Sequence, residues 1–214
     1  RNYYPDSNVL TKLELNPYDA SVSWRTDGTL KHLSVGPMIS TRLANNMFFH
    51  ILGGYSGELY EEQWLDNGDV GVFLAGFPSR AFGFRLSLSG GTTSFYDEID
   101  PRSVQYFSGE GSGSIAILRQ LSISGSFGLL RLSEPGAILG LDWVSRLQAE
   151  YFFTQQLWAR VNYDLSGDDS NRIDKQAIDA LMGWELTPGK ALYLGVGNPE
   201  ITVQDWQVFA KASW

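Results

Sequence analysis

Histidine and serine are the residue types from which this chain could build hydrolytic chemistry. It has two histidines, His32 and His50, and no cysteine, so disulfides and thiolate metal sites are excluded. A histidine pair can bind a metal or act as a general base, and a serine hydrolase also needs a nucleophile and an orienting polar group. No spacing selects one serine as that nucleophile. We therefore expect both histidines to be inward-facing polar groups, and we predict neither a catalytic residue nor a metal.

Two further segments have the composition of ligand-binding loops without the pattern. Gly109–Gly113 is glycine-rich, but no lysine and no helix pattern follows it as a phosphate loop requires. Asp66–Asp69 lacks the alternating ligands and terminal glutamate of a calcium loop. No cofactor is therefore predicted.

The last residues alternate strictly between apolar and polar side chains. One face carries Trp206, Val208, Ala210, Ala212 and Trp214, while the intervening positions are mostly polar, with Phe209 as an exception. This period of two predicts a half-buried strand. An aromatic residue that ends such a strand resembles the terminal signal of bacterial outer-membrane β-barrels, in which the apolar face contacts lipid.

The same alternation recurs along the chain and predicts an all-β fold. Strands are expected at 8–16, 19–26, 29–40, 46–58, 69–77, 81–91, 103–118, 121–132, 137–151, 157–166, 175–186, 191–198 and 203–214. Their polar faces are rich in Gly, Ser, Asn, Gln and charges of both signs, which suits a crowded aqueous interior. We predict one domain over residues 1–214, an antiparallel transmembrane β-barrel with about 12–14 strands from this chain, and a soluble β-domain is the alternative.

Charged residues on the inward side of these strands are the candidate functional groups. Lipid-facing charge is costly, so the parity of each strand places its charges toward the lumen. Charge rings set selectivity in open pores, whereas a salt-bridged wall closes small barrels. The predicted lumen charges are Arg85, Asp142, Arg146, Glu150, Arg160, Asp164, Asp179, Glu185, Asp205 and Lys211, and His32 and His50 are predicted to join them.

The connections give the predicted barrel an orientation. Long acidic connections near 58–68, 92–102 and 167–175 alternate with short turns such as Thr187–Lys190. If Trp214 lies in the periplasm, counting backwards places all three long connections outside the cell. Asn16–Asp19 is expected to be a short turn. The count reaches thirteen strands and an external Arg1, so either one strand is miscounted or the chain is the carboxyl-terminal part of a larger barrel.

A family resemblance bears on the carboxyl-terminal region. Residues 179–195 and 208–214 resemble the end of large outer-membrane proteins in which an amino-terminal carbohydrate-binding-type domain precedes a barrel. The shared feature is the Thr187-Pro188-Gly189 turn before an aromatic-rich strand. The resemblance implies a fragment of a larger protein and implies no established activity.

These patterns predict a bacterial outer-membrane barrel that acts as a channel or transport component or as a scaffold for partner domains. The alternatives are a soluble carbohydrate-binding β-domain, with Tyr60 and Trp64 as exposed aromatics, and an outer-membrane hydrolase. The net charge of −8 argues against nucleic acid. The expected partners are outer-membrane lipid and lipopolysaccharide, the barrel-assembly machinery through the last strand, and a companion chain or larger complex that completes the barrel.

Overall fold

The computed structural model describes residues 2–4, 10–43, 46–96, 100–168, 173–198 and 206–213. Its regular structure is almost entirely β, as the alternation predicts. Thirteen strands of the described residues form one sheet in which each strand is hydrogen-bonded to its neighbours in sequence. The strands are β1 Asn2–Tyr3, β2 Leu10–Trp24, β3 Leu30–Leu43, β4 Met47–Tyr60, β5 Gln63–Ser79, β6 Phe82–Phe95, β7 Arg102–Ala116, β8 Leu121–Glu134, β9 Ala137–Phe152, β10 Leu157–Gly167, β11 Ile173–Thr187, β12 Lys190–Asn198 and β13 Gln207–Ser213.

The chain divides into two compact units. The first unit comprises residues 1–78, 85–110 and 129–141, and the second comprises residues 79–84, 111–128 and 142–214. The pairings of β1 to β5 in the first unit are antiparallel, and so are those of β9 to β13 in the second. Several strands contribute residues to both units, so the division does not follow the order of the chain.

The expected turn at Asn16–Asp19 is wrong. Residues 10–24 form the single strand β2, and the pairing with β3 shifts register between Asn16 and Asp19. Pro17 lacks a backbone N–H, so a bulge accommodates it where a regular ladder would lose a hydrogen bond. The number of strands is still thirteen because Asn2–Tyr3 pairs with β2 as an additional short strand.

The three long connections are shorter than expected. At 58–68 there is no loop, because β4 and β5 pair up to Tyr60 and Gln63 and leave a two-residue turn. Both turn residues, Glu61 and Glu62, have positive φ (44° and 69°), which matches the right-handed twist of a hairpin. The other two connections reduce to 96–101 and 168–172, and residues 97–99 and 169–172 lie outside the described part.

Several of the short turns have a local chemical cause. Gly28 and Gly189 have φ of 87° and 85°, values at which a Cβ would be strained. The Thr154 hydroxyl accepts hydrogen bonds from the amides of Gln156 and Leu157, which closes the turn between β9 and β10. In the turn between β2 and β3, the amide of Thr29 donates to the Asp27 carboxylate and lowers its pKa.

Apolar side chains are not gathered into a core. Among the described residues only Leu65 and Val104 are buried hydrophobic side chains. The chain exposes 14567 Å² of surface, whereas a compact soluble monomer of 23.8 kDa exposes about 9,900 Å². A soluble domain of this size buries most of its large aliphatic residues. The other described residues therefore leave the apolar faces of these strands uncovered.

Candidate functional site

Cross-strand pairing in the second unit collects polar side chains on one face of β9 to β13. Residues directly opposite each other on antiparallel strands point to the same side of the sheet. This polar face contains four rows: Arg146 and Asp164; Gln148, Asn162, Asp179, Gly197 and Gln207; Glu150, Arg160, Leu181, Gly195 and Phe209; and Phe152, Trp158, Gly183, Tyr193 and Lys211. Six of the ten predicted lumen charges lie in these rows.

Side-chain interactions link neighbouring strands across the polar face. The Arg146 guanidinium donates to both carboxylate oxygens of Asp164 at 2.6 and 2.7 Å. In the next row the Asn162 amide donates to Asp179 at 2.7 Å. The Arg146 side chain is 59 % exposed, so solvent screens this ion pair and its contribution to stability is small. These contacts fix the positions of charges more than they stabilise the sheet.

The remaining predicted lumen charges are placed as follows. Asp142 lies two residues before Val144 on the same side of β9 as Arg146, and Glu185 pairs with Ala191 next to the row of Gly183. Arg85 lies over the ring of Phe73, 5.0 Å from its centroid, and Phe73 pairs with His50 on the polar face of the first unit. Asp205 lies outside the described residues.

The opposite face of β9 to β13 is apolar. Its central rows are Leu147, Tyr163 and Ile178; Ala149, Val161, Ala180, Val196 and Val208; and Tyr151, Ala159, Met182, Leu194 and Ala210. Val161, Met182 and Leu194 are 44 %, 45 % and 53 % exposed. A shallow groove of about 300 Å³ crosses this face between Ala159, Ala180 and Val208. Nothing in the described chain covers these side chains.

Aromatic residues border this apolar face at both ends. Trp143 lies opposite Gly167, the last residue of β10, which leads into the 168–172 connection. Tyr151 and Trp184 lie toward the opposite ends, and Tyr151 packs edge-on against Phe153 at 4.9 Å. Trp143 and Tyr151 are eight residues apart on β9, which is about 26 Å along the strand and about 19 Å across a membrane at a tilt of 45°. Membrane barrels have an apolar band about 25 Å tall with an aromatic girdle at each edge.

The terminal strand contributes to the same apolar face. Val208, Ala210 and Ala212 pair with Val196, Leu194 and Leu192 of β12. Val208 is 73 % exposed and Trp206, just before the strand, is 58 % exposed. Trp214 lies outside the described residues.

Phe209, the exception to the alternation, is explained by its cross-strand partner. It points to the polar face, where its ring lies across Gly195, which has no side chain to clash with it. The Trp158 ring likewise covers Gly183, where a Cβ would lie 2.5 Å from the indole. Neither contact follows from local sequence, because the two partners come from different strands.

The first unit repeats this arrangement on β2 to β5. Its apolar face includes the row Leu15, Ile39, Ile51 and Val72, which are 37–43 % exposed. On the polar face Lys12 and Glu14 form an ion pair at 2.9 Å. Polar and apolar side chains therefore also alternate along the strands of this unit.

The two histidines lie on the polar face but are not brought together. His32 is opposite Ser23 and Glu58, whereas His50 is opposite Ser40. His50 and Glu58 are eight residues apart on β4, which is about 26 Å along the strand. The two histidines therefore do not form a pair that could bind one metal ion. No cluster of metal-ligating side chains exists among the described residues.

Tyr60 and Trp64, the aromatics considered for glycan binding by a soluble domain, are both engaged. Tyr60 packs against the Tyr96 ring at 4.9 Å. The Trp64 indole donates to Asp66 at 2.8 Å, and its ring lies across Gly57. Each of the two rings therefore has a partner within the first unit.

Comparisons with known proteins give only distant structural likeness. No family model matches the sequence, and no curated protein is similar to it. The KdgM porin aligns over 85 % of this chain and 90 % of its own, with 12 % identity and a TM-score of 0.39. The β-domain of the Bordetella autotransporter BrkA aligns over 94 % and 96 %, with 12 % identity and a TM-score of 0.31. In the described part of the chain, no helix is long and apolar enough to cross a membrane.

Proposed function

We propose that this chain forms all or part of a β-barrel in the bacterial outer membrane and that its polar faces line a water-filled passage for small polar solutes. One observation carries the proposal. The apolar face of β9 to β13 is exposed, and aromatic residues border it at both ends. Lipid is the solvent that would make such a face stable.

The geometry of single strands supports the same location. β10 has eleven residues, which extend about 36 Å, or about 26 Å across a membrane at a tilt of 45°. Backbone groups inside a bilayer must all be hydrogen-bonded, and an antiparallel ladder meets this requirement along its paired strands. Both faces of the sheet then have a suitable solvent: lipid for Val161 and Leu194, and water for Arg146 and Asp164.

The polar face supports a passage more directly than an inert scaffold. Its charges have both signs and hold hydrogen bonds at its centre, as between Asn162 and Asp179. Arg146 is largely exposed, so water reaches this face in the described chain. A scaffold for partner domains is the alternative role, and ion flow distinguishes the two.

The first experiment tests the membrane and then the passage. We expect purified protein to need detergent or lipid, and to give stepwise conductance in planar bilayers. Protein that stays monomeric in detergent-free buffer would contradict the membrane location. Stable insertion into vesicles without any conductance would contradict the passage and support a scaffold.

A second candidate function is hydrolysis at the row of Ser23, His32 and Glu58. Direct pairing places Ser23 beside His32 and Glu58 on its other side, the order of a nucleophile, base and orienting acid. Glu58 also accepts a hydrogen bond from Tyr96, which competes with that role. His32→Ala should abolish ester hydrolysis by protein in detergent, whereas His50→Ala should not. Equal turnover in both variants and the parent would remove this candidate.

A further inference from the structure

Two adjacent rows of the polar face collect aromatic rings and cations from three strands of the second unit. We call Trp158, Arg160, Tyr193, Phe209 and Lys211 the aromatic–cation cluster. Trp158, Tyr193 and Lys211 share one row, and Arg160 and Phe209 share the next. Alternation alone predicts a polar face here, so three rings in two adjacent rows call for a separate explanation.

Two of the rings contact each other, and the third lies in the adjacent row. The centroids of Trp158 and Tyr193 are 6.3 Å apart with their planes at 61°. Gly183 and Gly195 lie between and beneath the rings and are themselves buried. Because neighbouring strands are about 4.8 Å apart, rings on β10, β12 and β13 extend over more than 10 Å across the sheet. That length suits a chain of units better than a single small molecule.

Polar groups with unused hydrogen-bonding capacity surround these rings. The Arg160 guanidinium lies 5.5 Å from the Trp158 centroid, and its Nε has no hydrogen-bond partner in the described chain. Neither Arg160 nor Lys211 forms an ion pair within 4.0 Å of a described acidic residue. Glu150 is opposite Arg160, and Glu185 lies in the row beyond Gly183. Asp179 lies in the row on the other side of Arg160, so two cations and three carboxylates surround the rings.

We propose that the aromatic–cation cluster binds a neutral oligosaccharide. The apolar C–H faces of successive sugar rings would pack on Trp158, Tyr193 and Phe209. Hydroxyl groups would donate to the carboxylates and accept from Arg160 and Lys211. The surplus of carboxylates disfavours an acidic ligand, whereas directed donors and acceptors beside ring faces are what a polyhydroxylated chain requires. The inference rests on the proposed function, because it needs a polar face that is wet and open to solutes.

Calorimetric titration of the detergent-solubilised protein tests the cluster without requiring conductance. The probes are maltohexaose, cellohexaose, glucose and an acidic hyaluronan hexasaccharide. We expect at least one neutral hexasaccharide to bind more tightly than glucose and than the acidic chain. Tyr193→Leu keeps apolar volume but removes a ring, and should weaken that binding about two- to tenfold. Tyr163→Leu removes a ring from the apolar face and is the matched control, with unchanged affinity.

Three results would overturn the assignment: no binding of either neutral hexasaccharide, preferred binding of the acidic chain, or equal loss of affinity in Tyr193→Leu and Tyr163→Leu. Saccharide binding by protein that gives no conductance would contradict the passage while leaving the cluster intact. Conductance without saccharide binding would support the passage and contradict the ligand proposed for the cluster.

Discussion

Replacing Val161 with arginine distinguishes a lipid-facing surface from a water-facing one. Val161 lies on the apolar face, is 44 % exposed and has the small residues Ala149 and Ala180 beside it. It is the fifth residue of β10, about 10 Å into the roughly 26 Å that the tilted strand would span. Its side chain would thus lie near the middle of the hydrocarbon.

The expected cost depends sharply on the surrounding solvent. Arginine on the lipid face of a barrel costs about 2–4 kcal/mol at the midplane. A half-exposed valine on a soluble domain would tolerate arginine within about 0.5 kcal/mol. The membrane location therefore predicts a decrease of about thirtyfold or more in the folding equilibrium constant.

The neighbouring residue on the same strand supplies the control. Asn162 points to the polar face and donates to Asp179. Arginine there keeps a donor beside that carboxylate, so Asn162→Arg should change the free energy of unfolding by less than about 1 kcal/mol. Leu192→Arg adds a test of depth: it lies on the apolar face two residues from the start of β12, where the cost falls to about 0–1 kcal/mol.

The assay is guanidinium unfolding of each variant in lipid vesicles, followed by tryptophan fluorescence. The reasoning fails if Val161→Arg unfolds within 0.5 kcal/mol of the parent, or if Asn162→Arg loses as much stability as Val161→Arg. Equal costs at Val161 and Leu192 would contradict the dependence on depth, and with it the placement of β10 across the membrane.

Three further predictions use other parts of the chain. Gly183→Ala should destabilise by about 1–3 kcal/mol in the same unfolding assay, because its Cβ would meet an indole ring at 2.5 Å, whereas Gly140→Ala has open space and should not. Arg146→Met should leave Asp164 unpaired and shift the reversal potential in planar bilayers toward cation selectivity, with little change in stability. Since the pKa of Asp27 is lowered in the folded chain, its contribution to stability is present above about pH 3.9 and is lost as pH falls through the folded value, so Asp27→Ala and the parent should converge in acid.

The face of each residue could be predicted from sequence, because strands have a period of two. Val161 and Asn162 fall on opposite sides by parity alone, and the structure places them there. The period does not show where a ladder ends. Residues 66–68 are turn-forming and were expected in a loop, yet they lie within β5. Trp64 donates to Asp66, and the Asn67 amide donates to Ser94, so partners from tertiary structure satisfy these polar side chains.

Local sequence also does not show where a bulge lies or how far apart two residues are along neighbouring strands. Pro17 is typical of a turn, but β2 continues through it with a shift in register. His32 and His50 both have inward parity on neighbouring strands, which suggested a pair. Their cross-strand partners, Glu58 and Ser40, lie in different rows, so equal parity does not imply proximity.

The aromatic–cation cluster follows from the pairing between strands, which local sequence does not show. Parity places Phe209 on the wrong face for a simple amphipathic strand, and only the pairing of β12 with β13 shows that Gly195 receives its ring. The same register brings Trp158 onto Gly183 and sets Tyr193 beside it. Glycine in a strand interior weakens the strand unless something packs in the vacated space. Rings from partner strands occupy the space beside Gly183 and Gly195. The stability of this part of the sheet therefore depends on residues that are also proposed to bind sugar. A variant that removes Trp158 or Phe209 would lose both properties, and this is why Tyr193, which covers neither glycine, separates binding from folding.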